Sequence, residues 1–566
     1  MVLTFMFLKL ESFRMVCILP VAIAALLALS SAWAVEPCAQ CHPREVSGFE
    51  ASPMGRSMGP PVPEPSTTFV HTVSNTKFFI KSSPSEMAHG LKRGGFSARY
   101  KMTYAIGSGT HAIGYLVQIG DHLFQSPLTY YPGYGWGMAP GYENLPAPDF
   151  DAPISAQCLF CHSGAARTVR GTSYRYQEPL FEAEQITCAR CHGPAEAHLR
   201  NPLPGSIINP AKLPWQARDS VCEQCHLAGE AFILNPGKDF NDFHPGENLE
   251  EVFSVYVFKS SLDPAHPSAL TVVSQAQQLA LSTCSRMSGG KLWCGTCHDP
   301  HAQPADPVSY FRSRCLSCHG AGLLERHPQS NTNCIGCHMP PRPVSNGGHS
   351  IFTDHRIAIY SAQELAVKVA PAHSAGAREA GELVAWRPPA PPLRERNLGL
   401  ANVSTGEKLQ SLDMVNKGYN LLLKAWSQFP QDPEVVTAIG VVLLGRRDVA
   451  NAGTLFQRAI LLAPSSASNY VHAALAWNAQ QNNAKAIEYL NKALKLDPLV
   501  QQSYRNLAEI YAEENNLDMV NRTYGRFLKA FPKSIEAQSE VEKTERPAPL
   551  PTPAGTGAGA HKGPGL

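Results

Sequence analysis

Seven times along this chain two cysteines stand three positions apart with a histidine directly after the second. The runs are Cys38-Ala-Gln-Cys41-His42, Cys158-Leu-Phe-Cys161-His162, Cys188-Ala-Arg-Cys191-His192, Cys222-Glu-Gln-Cys225-His226, Cys294-Gly-Thr-Cys297-His298, Cys315-Leu-Ser-Cys318-His319 and Cys334-Ile-Gly-Cys337-His338. They take up every one of the 16 cysteines except Cys17 and Cys284. Two thiols at this spacing can each form a thioether with one of the two vinyl groups of a porphyrin, while the adjacent imidazole binds the iron. A disulfide framework gives the histidines no role, and zinc cages built from two cysteine pairs would need an even number of pairs. The expectation is seven covalently bound haems c, tethered through these cysteines, with His42, His162, His192, His226, His298, His319 and His338 as proximal iron ligands.

A second strong ligand makes a haem an electron carrier, whereas an open face leaves room for chemistry. The chain has 21 histidines, enough for a distal imidazole at every iron. The best placed are His198 in Cys191-His192-Gly-Pro-Ala-Glu-Ala-His198, His301 in Cys297-His298-Asp-Pro-His301, His327 ahead of Cys334, and His349 and His355 just after the last motif. His301 lies too near its own motif to fold back onto the same iron, so a neighbouring haem is its expected target. His111 and His71 complete the set of distal candidates; His89, His122, His244 and His266 are weaker ones. Met54 and Met58 are alternative ligands for the first haem, although packing is the commoner use of methionine. Cys284 has no assigned role.

Lys9 and Arg14 precede an apolar stretch from Val16 to Leu29 that ends in Ala32-Trp33-Ala34. This is the layout of a secretory signal over residues 1–34, which implies export to the periplasm or a similar compartment. No later stretch is long and apolar enough to span a bilayer. With Lys+Arg at 48 and Asp+Glu at 46, nothing points to nucleic acid. Haem propionates would make the loaded protein more acidic than its sequence, which favours cationic redox partners.

The expected architecture is multidomain. Residues 35–358 form a heptahaem domain of mostly irregular and α structure, with porphyrins in place of an apolar core. A small β-rich insert is expected at about 66–135, where Lys77-Phe-Phe-Ile-Lys81 and Tyr115-Leu-Val-Gln-Ile119 read as strands and Gly120-Asp121 as a hairpin turn. A Pro/Ala-rich linker follows at 359–398. Beyond it Pro430, Pro464, Pro498 and Pro532 recur at the tetratricopeptide period, with Gly440, Ala452, Phe456 and Ala459 at that repeat's small and aromatic positions. An all-α tetratricopeptide superhelix is therefore expected over 399–545, offering a surface for a protein partner. Residues 546–566 read as a disordered tail.

The haem region resembles the bacterial multihaem cytochromes related to the tetrahaem cytochrome of ammonia oxidisers and to hydroxylamine oxidoreductase, in a branch fused to tetratricopeptide repeats. The phrases that carry the likeness are Ile106-Gly-Ser-Gly109, Cys191-His-Gly-Pro194, Cys297-His-Asp-Pro-His301, Cys337-His-Met-Pro340 and Thr353-Asp-His355. The likeness implies closely stacked haem pairs and electron transfer. That group also contains enzymes, so an oxidoreductase acting on a small nitrogen or sulfur compound at a five-coordinate haem is the alternative, as is a scaffold in which the repeats recruit a redox complex. No catalytic residue is assigned. The absence of a Cys-x-x-Cys-Lys motif favours the electron carrier.

Overall fold

Alternating burial organises the first half of the chain. The computed structural model describes residues 36–264, 269–320, 322–323, 327, 333–366 and 380–545. The expected leader, the tail, His266 and part of the expected linker lie outside them. In β3, Thr76–Ser83, the side chains of Thr76, Phe78 and Ile80 point inward while Lys77 and Lys81 do not. This period-two pattern requires a sheet with one covered face. β2 (Thr67–His71), β3, β4 (Glu86–Arg93) and β5 (Phe96–Lys101) form a four-stranded antiparallel sheet in sequence order. A second sheet runs in the order β1 (Met58–Gly59), β6 (Tyr104–Ile106), β7 (Ile113–Ile119), β8 (His122–Tyr131) and β9 (Gly135–Met138). Gly120-Asp121 is the hairpin turn between β7 and β8.

The two sheets share one core, in which Phe78, Leu91, Tyr115, Phe124 and Leu128 are 0–1% exposed. The β-rich segment is thus larger than the small insert expected from sequence. Short strands bury only alternate residues, so their contribution is easily underestimated. Further antiparallel pairings join β10 (Ala165–Thr168) to β11 (Tyr176–Ala183), β12 (Ala231–Leu234) to β13 (Phe253–Phe258), and β14 (Pro341–Pro343) to β15 (Ile351–Thr353).

The stretch expected to be a linker is shorter than its composition suggests. β16, Leu383–Ala385, adds to β13 with Tyr256 opposite Ala385, and a helix already begins at Leu393. Arg387, within the proline-rich run, donates to Ser220 at 2.8 Å and pairs with Glu223 at 2.8 Å.

The C-terminal region is an array of antiparallel helix pairs. They are Leu393–Lys408 with Leu412–Trp426, Pro433–Gly445 with Val449–Leu462, Ala467–Ala479 with Asn483–Leu496, and Gln501–Glu513 with Leu517–Ala530, closed by Ile535–Glu545. Side chains of Ser411, Asp432, Asp448, Asn482 and Asn516 accept backbone N–H bonds at helix starts, supplying acceptors for otherwise unpaired donors. Gly440 lets two helices meet, because a Cβ there would lie 2.7 Å from the Phe456 ring. Phe527 stands where the repeat expects alanine. It stacks on Tyr504 at 5.0 Å and meets Phe531 edge-on at 5.4 Å, filling the end of the seam.

The loops between helix pairs dock in succession on the rest of the chain. Ser465 borders Gly171, Asp497 meets His122, and Phe531 packs edge-on against Phe124 at 5.4 Å. At the array's start Arg396, 1% exposed, is held by Asp432 at 2.7 Å, Glu434 at 2.8 Å and the Leu234 carbonyl at 2.7 Å. A buried carboxylate stripped of its cation is costly. Arg396→Met is expected to cost about 3–5 kcal/mol, read as a lower guanidinium midpoint for loss of the array's helical circular dichroism. A loss below about 1 kcal/mol, the range of an exposed pair, would refute this role for Arg396.

Candidate functional site

The cysteine motifs sit on short helical turns, and that is what makes them chemically coherent. His42, His192 and His298 donate their backbone N–H to Cys38, Cys188 and Cys294, at 2.8–2.9 Å. Residues three and four apart share a helix face, so both thiols and the imidazole of a motif face the same way. The motif helices are Glu36–Ala39, Ala156–His162, Ala189–His192, Trp215–His226, Cys294–Cys297, Pro307–His319 and Cys334–His338.

All seven sets converge on one cavity of about 3050 Å³. Its wall includes His42, His162, His192, His226, His298, His319 and His338, together with every motif cysteine except Cys158 and Cys318. A pocket for one drug-sized ligand measures about 300–1,000 Å³, so this space suits several large groups. Much of the wall is apolar, with Phe49, Ile106, Val221, Leu279, Phe311 and Ile335, while Arg190, Arg286, Arg314, Arg342 and Arg356 bring positive charge to it. Thiols of different motifs touch: Cys161 with Cys225, Cys222 with Cys294, and Cys38 with Cys188. These contacts join the second, fourth and fifth motifs in one group and the first and third in another.

Four motif imidazoles face a second imidazole. His42 lies 6.4 Å from His198, His192 5.9 Å from His301, and His298 6.2 Å from His355, measured between ring centroids with interplanar angles of 23–29°. His338 lies 6.3 Å from His327, with the rings at 82°. Each pair joins one motif histidine to one from outside the motifs. A metal–imidazole bond is about 2.0–2.1 Å long; with the distance from nitrogen to ring centre added on each side, one ion between two imidazoles requires a centroid gap of about 6 Å. All four pairs have that spacing.

Second contacts set the tautomers. Nδ1 of His192, His338 and His355 points at the carbonyls of Ile208 (2.8 Å), Ala358 (2.9 Å) and Thr353 (2.9 Å), and Nδ1 of His198 at the Ser206 hydroxyl (2.8 Å). A carbonyl only accepts, so Nδ1 carries the hydrogen and Nε2 keeps its lone pair, as metal-binding histidines require. Burial pushes His162, His226, His298 and His355 below the ordinary imidazole range, which keeps them in the neutral, ligating form.

The distal candidates divide. His111, His198, His301, His327 and His355 line the cavity; His111 stacks on Phe352 at 4.0 Å. His71 does not belong to this set, which corrects the sequence expectation. Its Nε2 faces the Glu143 carbonyl and its Nδ1 the Ser74 hydroxyl, both at 2.8 Å, leaving no lone pair for a metal. His349 is a second correction. It stacks on Tyr134 at 3.6 Å and meets Tyr131 edge-on, away from the cavity wall. The Gly347-Gly348 turn swings it there; Gly348 has φ +57° and sits so close to Tyr131 that a Cβ would clash.

Among the weaker candidates, the Nδ1 of buried His89 meets the Ser126 hydroxyl, and both nitrogens of His122 face carboxylates. Met58 packs with Leu116 and Leu123 in a separate core, whereas Met54 reaches the cavity wall, as does Cys284. The pairing of particular histidines is what sequence reasoning missed, because no local signal connects His42 to His198.

No protein-family model matches the chain, and no curated protein matches it. Among the described residues no helix is long and apolar enough to cross a membrane. The C-terminal helical region is similar to solved helical-repeat structures. One is the APC/C hetero-tetramer Cut9–Hcn1, at 20% identity over 26% of this chain and 30% of that chain, with a TM-score of 0.23. The MamA protein is another, at 17% identity over 26% of this chain and 81% of that one, with a TM-score of 0.23. A third is a Thermobaculum terrenum O-GlcNAc transferase mutant, at 18% identity over 24% of this chain and 26% of that one, with a TM-score of 0.22. The chain thus spans less than a third of the Cut9–Hcn1 and transferase chains.

Proposed function

We propose that this chain is an exported heptahaem c-type cytochrome whose C-terminal helical array serves protein interaction. The observation that carries the proposal is the convergence of seven thiol–thiol–imidazole sets on one large cavity, with four of the imidazoles paired with a second imidazole at a spacing that would admit one iron. When bound, each haem would supply an iron that cycles between ferric and ferrous states, so that a close series of them conducts electrons.

The chain's own residues have distinct roles in this reading. The paired cysteines would tether each group and fix its position. His42 with His198, His192 with His301, His298 with His355, and His338 with His327 are placed to hold four of the irons, and the carbonyl partners of Nδ1 at His192, His338 and His355 keep those rings in the tautomer whose Nε2 would bind metal. Arg190, Arg286, Arg314, Arg342 and Arg356 are suited to the carboxylates of the porphyrins. Apolar walls exclude water, which sets potentials along with ligand type.

A second histidine opposite each of four motif histidines favours an electron carrier over an enzyme. In a reductive titration, the purified exported protein is expected to show a haem c spectrum and to take up about seven electrons per chain, one for each motif. A protein that shows no reducible visible absorption would defeat the proposal.

A further inference from the structure

We infer that His122 is a pH-sensitive pin that couples docking of the helical array on the β-rich unit to the acidity of its surroundings. His122 starts β8, immediately after the hairpin turn, and its side chain is 3% exposed. Its Nδ1 lies 2.8 Å from Asp121 Oδ1 on the same turn, and its Nε2 lies 3.2 Å from Asp497 Oδ2 at the end of an array helix. Carboxylate oxygens only accept hydrogen bonds, so both ring nitrogens must donate. Only the imidazolium can do that. A neutral ring would set a nitrogen lone pair against a carboxylate on one side or the other.

The surrounding charges fit the protonated state. Arg175 pairs with Asp121 at 2.7 Å and donates to the Leu496 carbonyl at 2.9 Å. Asp121 is held below the ordinary carboxylate range by its hydrogen bonds to Arg175 and His122, which outweigh burial. Two carboxylates thus face two cations. From the array, Tyr504 stands near Asp497 and carries Arg526 over its ring, and Glu178 approaches the turn through Gln118. Loss of the His122 proton leaves a buried excess of negative charge at a junction between two units, which costs stability. Arg175 and the Phe124–Phe531 contact do not change with pH in this range, so the corner loosens without the array detaching.

The sign follows. Docking needs the protonated ring, so it is complete at acid pH and weakens as rising pH removes the imidazole proton. The test is amide hydrogen exchange of the full-length holoprotein, expressed as protection factors at residues 496–500 so that the intrinsic pH dependence of exchange cancels. Protection there is expected to fall about tenfold or more between pH 5.5 and 8.5 in the unsubstituted protein, while the interior segment 471–476 stays constant.

In His122→Gln, which cannot titrate, that fall is expected to vanish. In Asp497→Asn it is expected to shrink, because an amide can donate to a neutral ring. Constant protection of 471–476 in each variant shows that the array remains folded. An unchanged pH profile in both variants, or a flat profile in the unsubstituted protein, would overturn the inference.

Discussion

His301→Leu is expected to add one high-spin ferric iron to the electron paramagnetic resonance spectrum of the oxidised holoprotein, without loss of any haem. His301 follows the fifth motif in the chain, yet its ring faces His192 of the third motif at 5.9 Å. If the proposed pairing holds, its removal would open the third iron and leave the fifth intact, since His298 stands opposite His355. His198→Leu and His355→Leu should each open one different iron, the first and the fifth. Loss of a strong ligand also raises the potential of the affected centre, because the remaining field stabilises ferric iron less.

His71→Leu and His349→Leu serve as controls and should open none, since both lie outside the cavity wall. A spectrum for His301→Leu identical to that of the unsubstituted protein would remove the pairing. Thermal unfolding of each variant, followed in parallel, separates loss of a ligand from general damage.

The second large effect concerns what holds the first half together. The cavity of about 3050 Å³ leaves the motif segments few side chains to pack against across it, so groups filling the space would supply the contacts that hold those segments together, as metal sites couple binding to folding. Exported protein made in cells that lack haem attachment is therefore expected to lose nearly all amide protection in the motif segments between 156 and 358. The array over 393–545 has cores of its own, with Leu422, Val435, Ala452, Phe456, Ala473 and Ala476 at 0–1% exposure, and should keep most of its protection. The β-rich unit shares a core with the array and should remain with it. Equal protection of the motif segments with and without haem would show that the chain supports the cavity unaided.

Much of this was legible in the sequence because it is written locally. The motif spacing needs only one helical turn, and the array's period is marked by Pro430, Pro464, Pro498 and Pro532, down to the Gly440 that admits Phe456. Partnerships between distant segments were not legible. His349 and His355 lie on one short stretch, yet a single glycine turn sends the first onto Tyr134 while the second faces His298. His71 looked available until its backbone partner at Glu143 became visible. The proline-rich passage near 387–392 concealed β16, because three residues suffice to extend a sheet when Leu383 is buried and Trp386 bonds to Val255. His122 carried no signal, since the carboxylate it meets at Asp497 belongs to the other half of the chain.

The intact mass of the exported, denatured polypeptide tests the central claim most directly, because thioether-linked groups survive denaturation whereas ligated ones do not. The expected value is that of the processed chain plus seven haems. A mass equal to the bare polypeptide would contradict the account.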